Sequence, residues 1–482
     1  MSALTRSERR APRKLRAKPP SAAGRERMSG VDVSWLRMER PANPMAITCV
    51  MTFRSRLDAQ RLRRAVRERF LAFPRFMQRP VESAGIHYWE TDPKFDLARH
   101  LHRVALPGAG GKRELQDLVS DLASTPLDPG HPMWEFHLIE RYRGSGSALV
   151  ARIHHCYADG VALMRVLLAL SNGTAASPGD GTGTRATGWL PWLEPLGEAG
   201  AKLLQWSGAF WQGYFELLLR PGKALELAQT GAMFLIEAAK LLTMSPEPGT
   251  RFRGEPGLSK RAAWSEPISL AQVKAIGKSL GCSVNDVLLA AVTGALRGYL
   301  ASHRDAVEGL EIRAVVPVNL RAADSAEALG NQFGLVFLEL PLGVANPLER
   351  LYAVHQRMIA LRHSPQPMLL LGLLSFAGVA PRAVHEQLLQ TLGSHATAVM
   401  TNVPGPQRRL RFAGVEIDEQ MFWVPQSASI GMGVSLLSYA GHVQFGLMTD
   451  AGMVPDPERI VEAFPGEFRK LQNAASGRGR PR

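Results

Sequence analysis

Cysteine is scarce in this chain of 482 residues: Cys49, Cys156 and Cys282 are its whole supply, and none sits in a Cys-x-x-Cys spacing. An odd number cannot pair completely. A disulfide framework is therefore excluded, a reducing compartment is favoured, and a structural zinc site has no cysteine pair to build on. Long apolar runs are missing as well. The longest, residues 368–380, lies between Pro367 and Pro381 and falls short of the roughly 18 residues a membrane-crossing helix needs. The first 28 residues hold no apolar core of the kind a secretory signal requires. No Gly-x-Ser-x-Gly elbow is present to announce a serine nucleophile. A convincing internal repeat is absent too.

Positive charge is what the chain has in excess, at +14. Taken alone, that points to nucleic acid. Its distribution points elsewhere. Residues 1–27 carry nine basic against two acidic residues, half of the whole excess, in a stretch with Pro12, Pro19 and Pro20 and little apolar content. Such a tail is expected to be disordered, with a peripheral role at an anionic lipid surface ahead of nucleic-acid binding. The remaining composition, 45% apolar and 21% charged, is that of a globular protein with two or three domains.

The pattern divides the chain into a disordered basic tail (1–28), an N-terminal lobe (29–175), a linker with connecting helices (176–257), a C-terminal lobe (258–473) and a basic tail (474–482). The linker begins in a Gly-, Thr- and Ser-rich stretch and continues through Trp189, Trp192, Trp206 and Trp211 mixed with Lys202, Arg220, Lys223 and Lys240. That mixture suits a membrane interface about as well as packing against the lobes. In the N-terminal lobe a strand is expected over 45–53, helices over 58–70 and 112–124, and a hairpin of strands 133–140 and 148–155. A symmetric hairpin would pair Arg141 with Ala148 and set Trp134 opposite His155. In the C-terminal lobe helices are expected over 270–280, 283–303, 348–362 and 457–471. Strands are expected there over 313–318, 333–340 and 396–401, with a hairpin over 431–448. Each lobe mixes strands with helices, an α/β class.

The hairpin ends in the stretch around which the chemistry is read: His154-His155-Cys156-Tyr157-Ala158-Asp159-Gly160, with a buried helix expected over 160–171. Four fixed positions of this kind arise by chance in roughly one chain per thousand. Side chains alternate along a strand, so His155 shares a face with Ile153, Ala151 and Leu149 while His154 points the other way. One histidine is thus available for chemistry and the other for support. An imidazole titrating near neutrality can take a proton from an alcohol as it attacks a carbonyl. Paired metal ligation is disfavoured, because adjacent side chains on a strand diverge and no third ligand is evident. Asp159 reads as the N-cap of the following helix and Gly160 as the residue that permits the tight turn. Asn285 and Asp286 stand at a helix start, where capping is the default role. Trp134, His137, His303 and His355 read as core residues.

These residues resemble the bacterial wax ester synthase/diacylglycerol acyltransferase family. His154 to Gly160 is similar to its HHxxxDG site, Pro132-Met133-Trp134 to its PLW element with Met for Leu, and Asn285-Asp286 to its ND element. The stretch from Asp32 to Glu39, Asn331-Gln332-Phe333-Gly334, Thr401 to Pro406 and Ser438-Tyr439-Ala440-Gly441 also look like landmarks of the family, over roughly residues 30–471. HHxxxDG alone is shared with chloramphenicol acetyltransferase-like enzymes and condensation domains.

The resemblance implies two chloramphenicol acetyltransferase-like lobes with mixed sheets and the active site at their interface. It implies acyl-CoA as co-substrate with no permanently bound cofactor or metal, and diacylglycerol or a long-chain alcohol as acceptor. The location implied is cytoplasmic, at the inner membrane face or lipid inclusions. His155 would be the general base, Asp159 would orient the motif, and Asn285 would be a polar group near the oxyanion. His154, Gly160, Asp286, Pro132 and Trp134 would support them. Two other readings stand beside this one: a condensation-type enzyme using carrier-bound acyl groups, and a non-catalytic lipid-surface binding protein.

Overall fold

The computed structural model describes residues 25–160, 243–320, 331, 333–362 and 364–477, together with 162, 163, 166, 170, 236 and 239–241. The tail before residue 25, the tryptophan-rich linker up to 235 and residues 478–482 lie outside the described residues.

The first half runs β1 (Arg25–Arg27), α1 (Gly30–Met38), β2 (Ala46–Phe53), α2 (Ala59–Ala65), β3 (Gln78–Ser83), β4 (Ile86–Thr91), β5 (Leu101–Val104), α3 (Lys112–Ala123), β6 (Trp134–Tyr142) and β7 (Gly146–His154). Local chemistry sets the helix starts. The Ser29 side chain accepts from the Asp32 amide at the head of α1, and the Asp58 side chain accepts from the Arg61 amide at the head of α2. β7 is buried along its whole length and β2 beyond its first residue, so both read as continuous apolar text rather than as alternation.

The second half runs β8 (Lys260–Trp264), β9 (Ile268–Ser269), α4 (Leu270–Leu280), α5 (Val284–Ser302), β10 (Ile312–Asn319), β11 (Phe333–Leu340), α6 (Pro347–Arg362), α7 (Gln366–Val379) and α8 (Arg382–Ser394). It continues through β12 (Ala398–Pro404), β13 (Arg411–Phe412), β14 (Val415–Trp423), β15 (Met432–Tyr439), β16 (His442–Asp450) and α9 (Pro457–Ala475). α4 ends on Gly281, whose φ of 68° is the left-handed conformation that closes a helix. α5 opens with a reciprocal cap: the Ser283 amide donates to Asp286 Oδ2 at 2.7 Å and the Asp286 amide to Ser283 Oγ at 3.2 Å.

Two large sheets result, in the order β13-β14-β2-β7-β6-β5 and β11-β10-β12-β15-β16-β8, with β9 also on β16. Both are mixed: β5 runs parallel to β6, and β12 runs parallel to β10 and β15. The α/β class with mixed sheets is as expected. The halves are laced together by β14, which leaves the second half of the chain to pair antiparallel with β2. They meet again where α1 crosses α7. A Cβ placed on Gly378 would lie 1.6 Å from the Gly30 carbonyl oxygen, so only glycine lets these helices approach this closely.

Three expectations are corrected. Residues 25–27, expected within the disordered tail, are a strand: Arg25–Arg27 pair with β4, where Arg25 meets Glu90 at 2.5 Å and Arg75 reaches Glu26. The hairpin is not symmetric. Ile139 pairs with Ala148, an irregularity follows before Tyr142 pairs with Gly146, and Trp134 faces Ile153 instead of His155. The helix expected over 58–70 is α-helical only to Ala65 and continues as a π-helical turn, Val66–Phe70.

Candidate active site

His155 sits one residue past the end of β7, buried to 3% exposure, with its amide donating to the Met45 carbonyl at 2.7 Å. Three residues from two stretches remote in sequence hold its ring. Trp35 of α1 stacks on it, with centroids 3.9 Å apart and planes 12° apart. Phe333, the first residue of β11, packs beside both rings, 5.8 Å from His155 and 6.0 Å from Trp35. Asn331, just before β11, places its Oδ1 3.0 Å from Nδ1. The Asn331 Nδ2 donates to Asp32 Oδ1 at 2.8 Å and to the His155 carbonyl at 2.9 Å, which fixes the direction of the amide. Its Oδ1 can only accept, so His155 carries its proton on Nδ1 and presents a lone pair at Nε2. Burial pushes His155 down to about 4, against the opposing pull of the Asp159 charge. Asp32, itself buried, is pushed up by the same loss of solvent.

His154 does something else, as strand alternation requires. Its Nδ1 accepts from the Cys156 amide at 3.1 Å, and its Nε2 lies 3.3 Å from Glu39 Oε2. The same Glu39 oxygen accepts from the Met45 amide, so His154 ties the motif to the end of α1 and the start of β2. Asp159 caps the following helical residues: its Oδ1 accepts from the Ala162 amide at 2.9 Å, and its carbonyl accepts from the Leu163 amide at 2.9 Å. Gly160 departs from its expected role. Its φ is not in the left-handed region, and a Cβ there would meet nothing within 4 Å. It lines a cavity instead.

That cavity is small, about 30 Å³. Its floor is one face of the first sheet, Ile47 and Cys49 of β2, Ala151 and Ile153 of β7 and Phe422 of β14. Phe70, Leu163, Val166, Leu437, Gln420 and Gly160 complete it. By strand alternation this is the face that His155 continues. Nearly all of the lining is hydrocarbon.

Pro132, Met133 and Trp134 form a buried knot rather than a substrate contact. The Met133 amide donates to Tyr157 Oη at 3.0 Å, Tyr157 Oη donates to the Gln78 carbonyl at 2.6 Å, and the Trp134 amide donates to the Pro132 carbonyl. Trp134 Nε1 donates to the Phe76 carbonyl, and its ring stacks on His100. The motif's Tyr157 thus clamps the Pro-Met-Trp element. Cys156 and Cys49 are buried thiols, Cys49 pushed up to about 12 by lost solvent and Cys156 well up for the same reason, which makes both inert as nucleophiles.

Asn285 and Asp286 are not hydrogen-bonded to the His155 cluster. Asn285 Oδ1 accepts from Asn402 Nδ2 at 2.7 Å, which leaves its own Nδ2 free to donate. Asp286 caps α5 and meets His355 Nδ1 at 2.7 Å. Among the described residues two groups have donors close enough for a metal, His102 with Glu135 and His137, and Cys282 with Asp286 and His355. In the first, the Arg152 guanidinium already holds Glu135 at 3.1 Å; in the second, Asp286 is committed to its cap.

Asp32, Trp35, Asn331 and Phe333 were not singled out from sequence as site residues. The available signal was their place in two stretches that look like family landmarks, Asp32 to Glu39 and Asn331 to Gly334.

The chain is similar to known proteins of one family. Residues 28–288 match the wax ester synthase/diacylglycerol acyltransferase catalytic domain, and residues 329–472 match the C-terminal domain of the same family. A putative diacylglycerol O-acyltransferase of Mycobacterium tuberculosis is 28% identical over 94% of this chain and 91% of its own length. Another from that species is 30% identical over 80% and 81%. The wax ester synthase/diacylglycerol acyltransferase structure from Marinobacter aquaeolei VT8 shares the fold with a TM-score of 0.66 at 24% identity, over 94% of this chain and all of that one. With both of its domain models matched in order and a histidine held at the joint of two mixed sheets, this chain belongs to the wax ester synthase/diacylglycerol acyltransferase family.

Proposed function

We infer that this protein is an O-acyltransferase that moves a fatty acyl group from acyl-CoA to diacylglycerol, a long-chain alcohol or both, with His155 as general base. The observation that carries the mechanism is the hydrogen bond from His155 Nδ1 to Asn331 Oδ1, which leaves Nε2 unprotonated. At neutral pH a group depressed to about 4 is neutral. Nε2 takes the acceptor's hydroxyl proton as that oxygen attacks the thioester carbonyl. The tetrahedral intermediate then collapses, the carbon–sulfur bond breaks, and the imidazolium returns the proton to the departing CoA thiolate. The Asp159 charge offsets the positive charge that appears on the ring between these two transfers. No covalent acyl-enzyme is needed, consistent with the inert buried thiols.

The apolar lining beside Gly160 favours hydrocarbon of the substrate against the sheet face, with the reactive end toward His155. Asn285 Nδ2 is proposed as a donor to the oxyanion, an interaction that would contribute about 3 kcal/mol to the barrier. Among the described residues no single helix is long and apolar enough to cross a membrane. Lipid acceptors would therefore be met at the surface of a bilayer or inclusion. The matched C-terminal family domain favours this reading over transfer from a carrier protein. Release of free CoA from palmitoyl-CoA only when hexadecanol or diolein is present, with the corresponding ester as product, tests it. Release with a carrier-bound donor but not with CoA would overturn it.

A further inference from the structure

α7 is unusual among the surface helices: its 14 residues, Gln366–Val379, include no charged side chain. One face is buried through Leu370, Leu374, Ala377 and Gly378. The other turns outward at helical spacing, through Gly372, Phe376 and Val379, with Phe376 55% and Val379 65% exposed. Val384, in the first turn of α8, extends the patch at 44% exposure. Exposed aromatic and branched side chains grouped this way mark an interaction surface. The rim is basic. Arg362 is exposed just before α7, the Arg382 side chain is 76% exposed just after it, and Arg37 donates to the Ala380 carbonyl at the helix end. Glu386 is the acid among them, shared between Arg40 and Arg382.

We propose that the outer face of α7 and the start of α8 docks on an anionic lipid surface, with Phe376 and Val379 inserted among the acyl chains and Arg362 and Arg382 on the phosphates. The proposal rests on the acyltransferase reading and assigns it a face. A second copy of the chain is the rival occupant, and two features speak against it. A stable dimer buries on the order of 800 Å² per partner, more than a stripe of four turns offers. A two-fold contact would also bring the arginine rims together. Anionic headgroups match both the apolar centre and the basic edge.

The position serves the chemistry. α7 lies directly on α1 through the Gly30–Gly378 contact, and α1 carries the Asp32 and Trp35 that hold Asn331 and His155. One helix layer, about 10 Å, separates the docked face from the helix that walls the site. A lipid acceptor leaving the bilayer there has little water to cross.

The test is co-sedimentation of the full chain with vesicles of phosphatidylcholine alone or with 30% phosphatidylglycerol. Alongside it runs CoA release with a water-soluble short-chain alcohol. The wild type is expected to bind the anionic vesicles. Phe376→Asp with Val379→Asp should lower that partition about tenfold or more, and Arg362→Glu with Arg382→Glu should remove the preference for phosphatidylglycerol. Both variants should keep the wild-type melting temperature and CoA release with the soluble alcohol. Unchanged vesicle binding by the Phe376/Val379 variant overturns the proposal, as does a wild type that is dimeric and becomes monomeric in that variant with its vesicle binding intact. Absence of CoA release by the wild type with every acceptor refutes the acyltransferase reading instead, whatever the vesicles show.

Discussion

Replacing Asn331 separates a histidine that is merely present from one that is held ready. Asn331→Ala removes the acceptor of the His155 Nδ1 proton and the donor to Asp32 and to the His155 carbonyl. Stacking on Trp35 survives, but nothing then selects the tautomer with a bare Nε2. An unpartnered buried donor costs about 1–3 kcal/mol. If that cost falls on the reactive tautomer, kcat/KM drops about 5- to 150-fold. Asn331→Asp makes a sharper version. A carboxylate at 3 Å from Nδ1 would favour the protonated ring and raise the pKa of His155 from its depressed position near 4. The base works only when neutral, so activity is lost as pH falls through that pKa. The acid limb of the rate profile should therefore lie near or below pH 5 in the wild type and move up by one unit or more in Asn331→Asp. CoA thiol release from palmitoyl-CoA with excess alcohol, followed from pH 4.5 to 9, reads both effects. Wild-type kcat/KM in Asn331→Ala together with an unmoved acid limb in Asn331→Asp would refute the reasoning.

Other consequences follow from the same structure. The neutral form of His155 is favoured by folding, since its folded pKa near 4 lies below the unfolded value of about 6.5. The unfolded chain binds more protons between those values, so stability is lost as pH falls through that window. The melting temperature should drop between pH 7 and 5, and by less in His155→Gln. Gly378→Ala forces a methyl group toward the Gly30 carbonyl and should destabilise the protein by about 2 kcal/mol or more, read by denaturant midpoint. Ala151→Phe fills the cavity from its sheet face. It should lower kcat/KM for palmitoyl-CoA relative to octanoyl-CoA about tenfold, measured as the ratio of the two rates in one preparation.

What could be read from the chain beforehand followed the range of the forces involved. Helix 270–280 and strand 333–340 carry their own caps and apolar pattern, and the structure places them at Leu270–Leu280 and Phe333–Leu340. Alternation along β7 separated His155 from His154 because it needs only two consecutive residues. β14 was missed because its alternation, Val415 and Ile417 against Glu416 and Asp418, is broken at Glu419 by an irregularity, and its partner β2 lies more than 360 residues away. Asn331 was invisible as a partner of His155 for the same reason, at a separation of 176 residues. The hairpin register failed on an irregularity between Ile139 and Tyr142 that no periodicity announces. Asp286 is the opposite case: capping, the local explanation, is what the structure shows.

The most direct measurement is ester formation by His155→Gln, a variant that keeps the volume of the ring's site and loses its base. With palmitoyl-CoA and hexadecanol or diolein, and with folding verified by its melting transition, the variant should form wax ester or triacylglycerol at least a hundredfold more slowly than the wild type, about 10² being the lower range for loss of a general base. Ester formation near the wild-type rate would contradict the account.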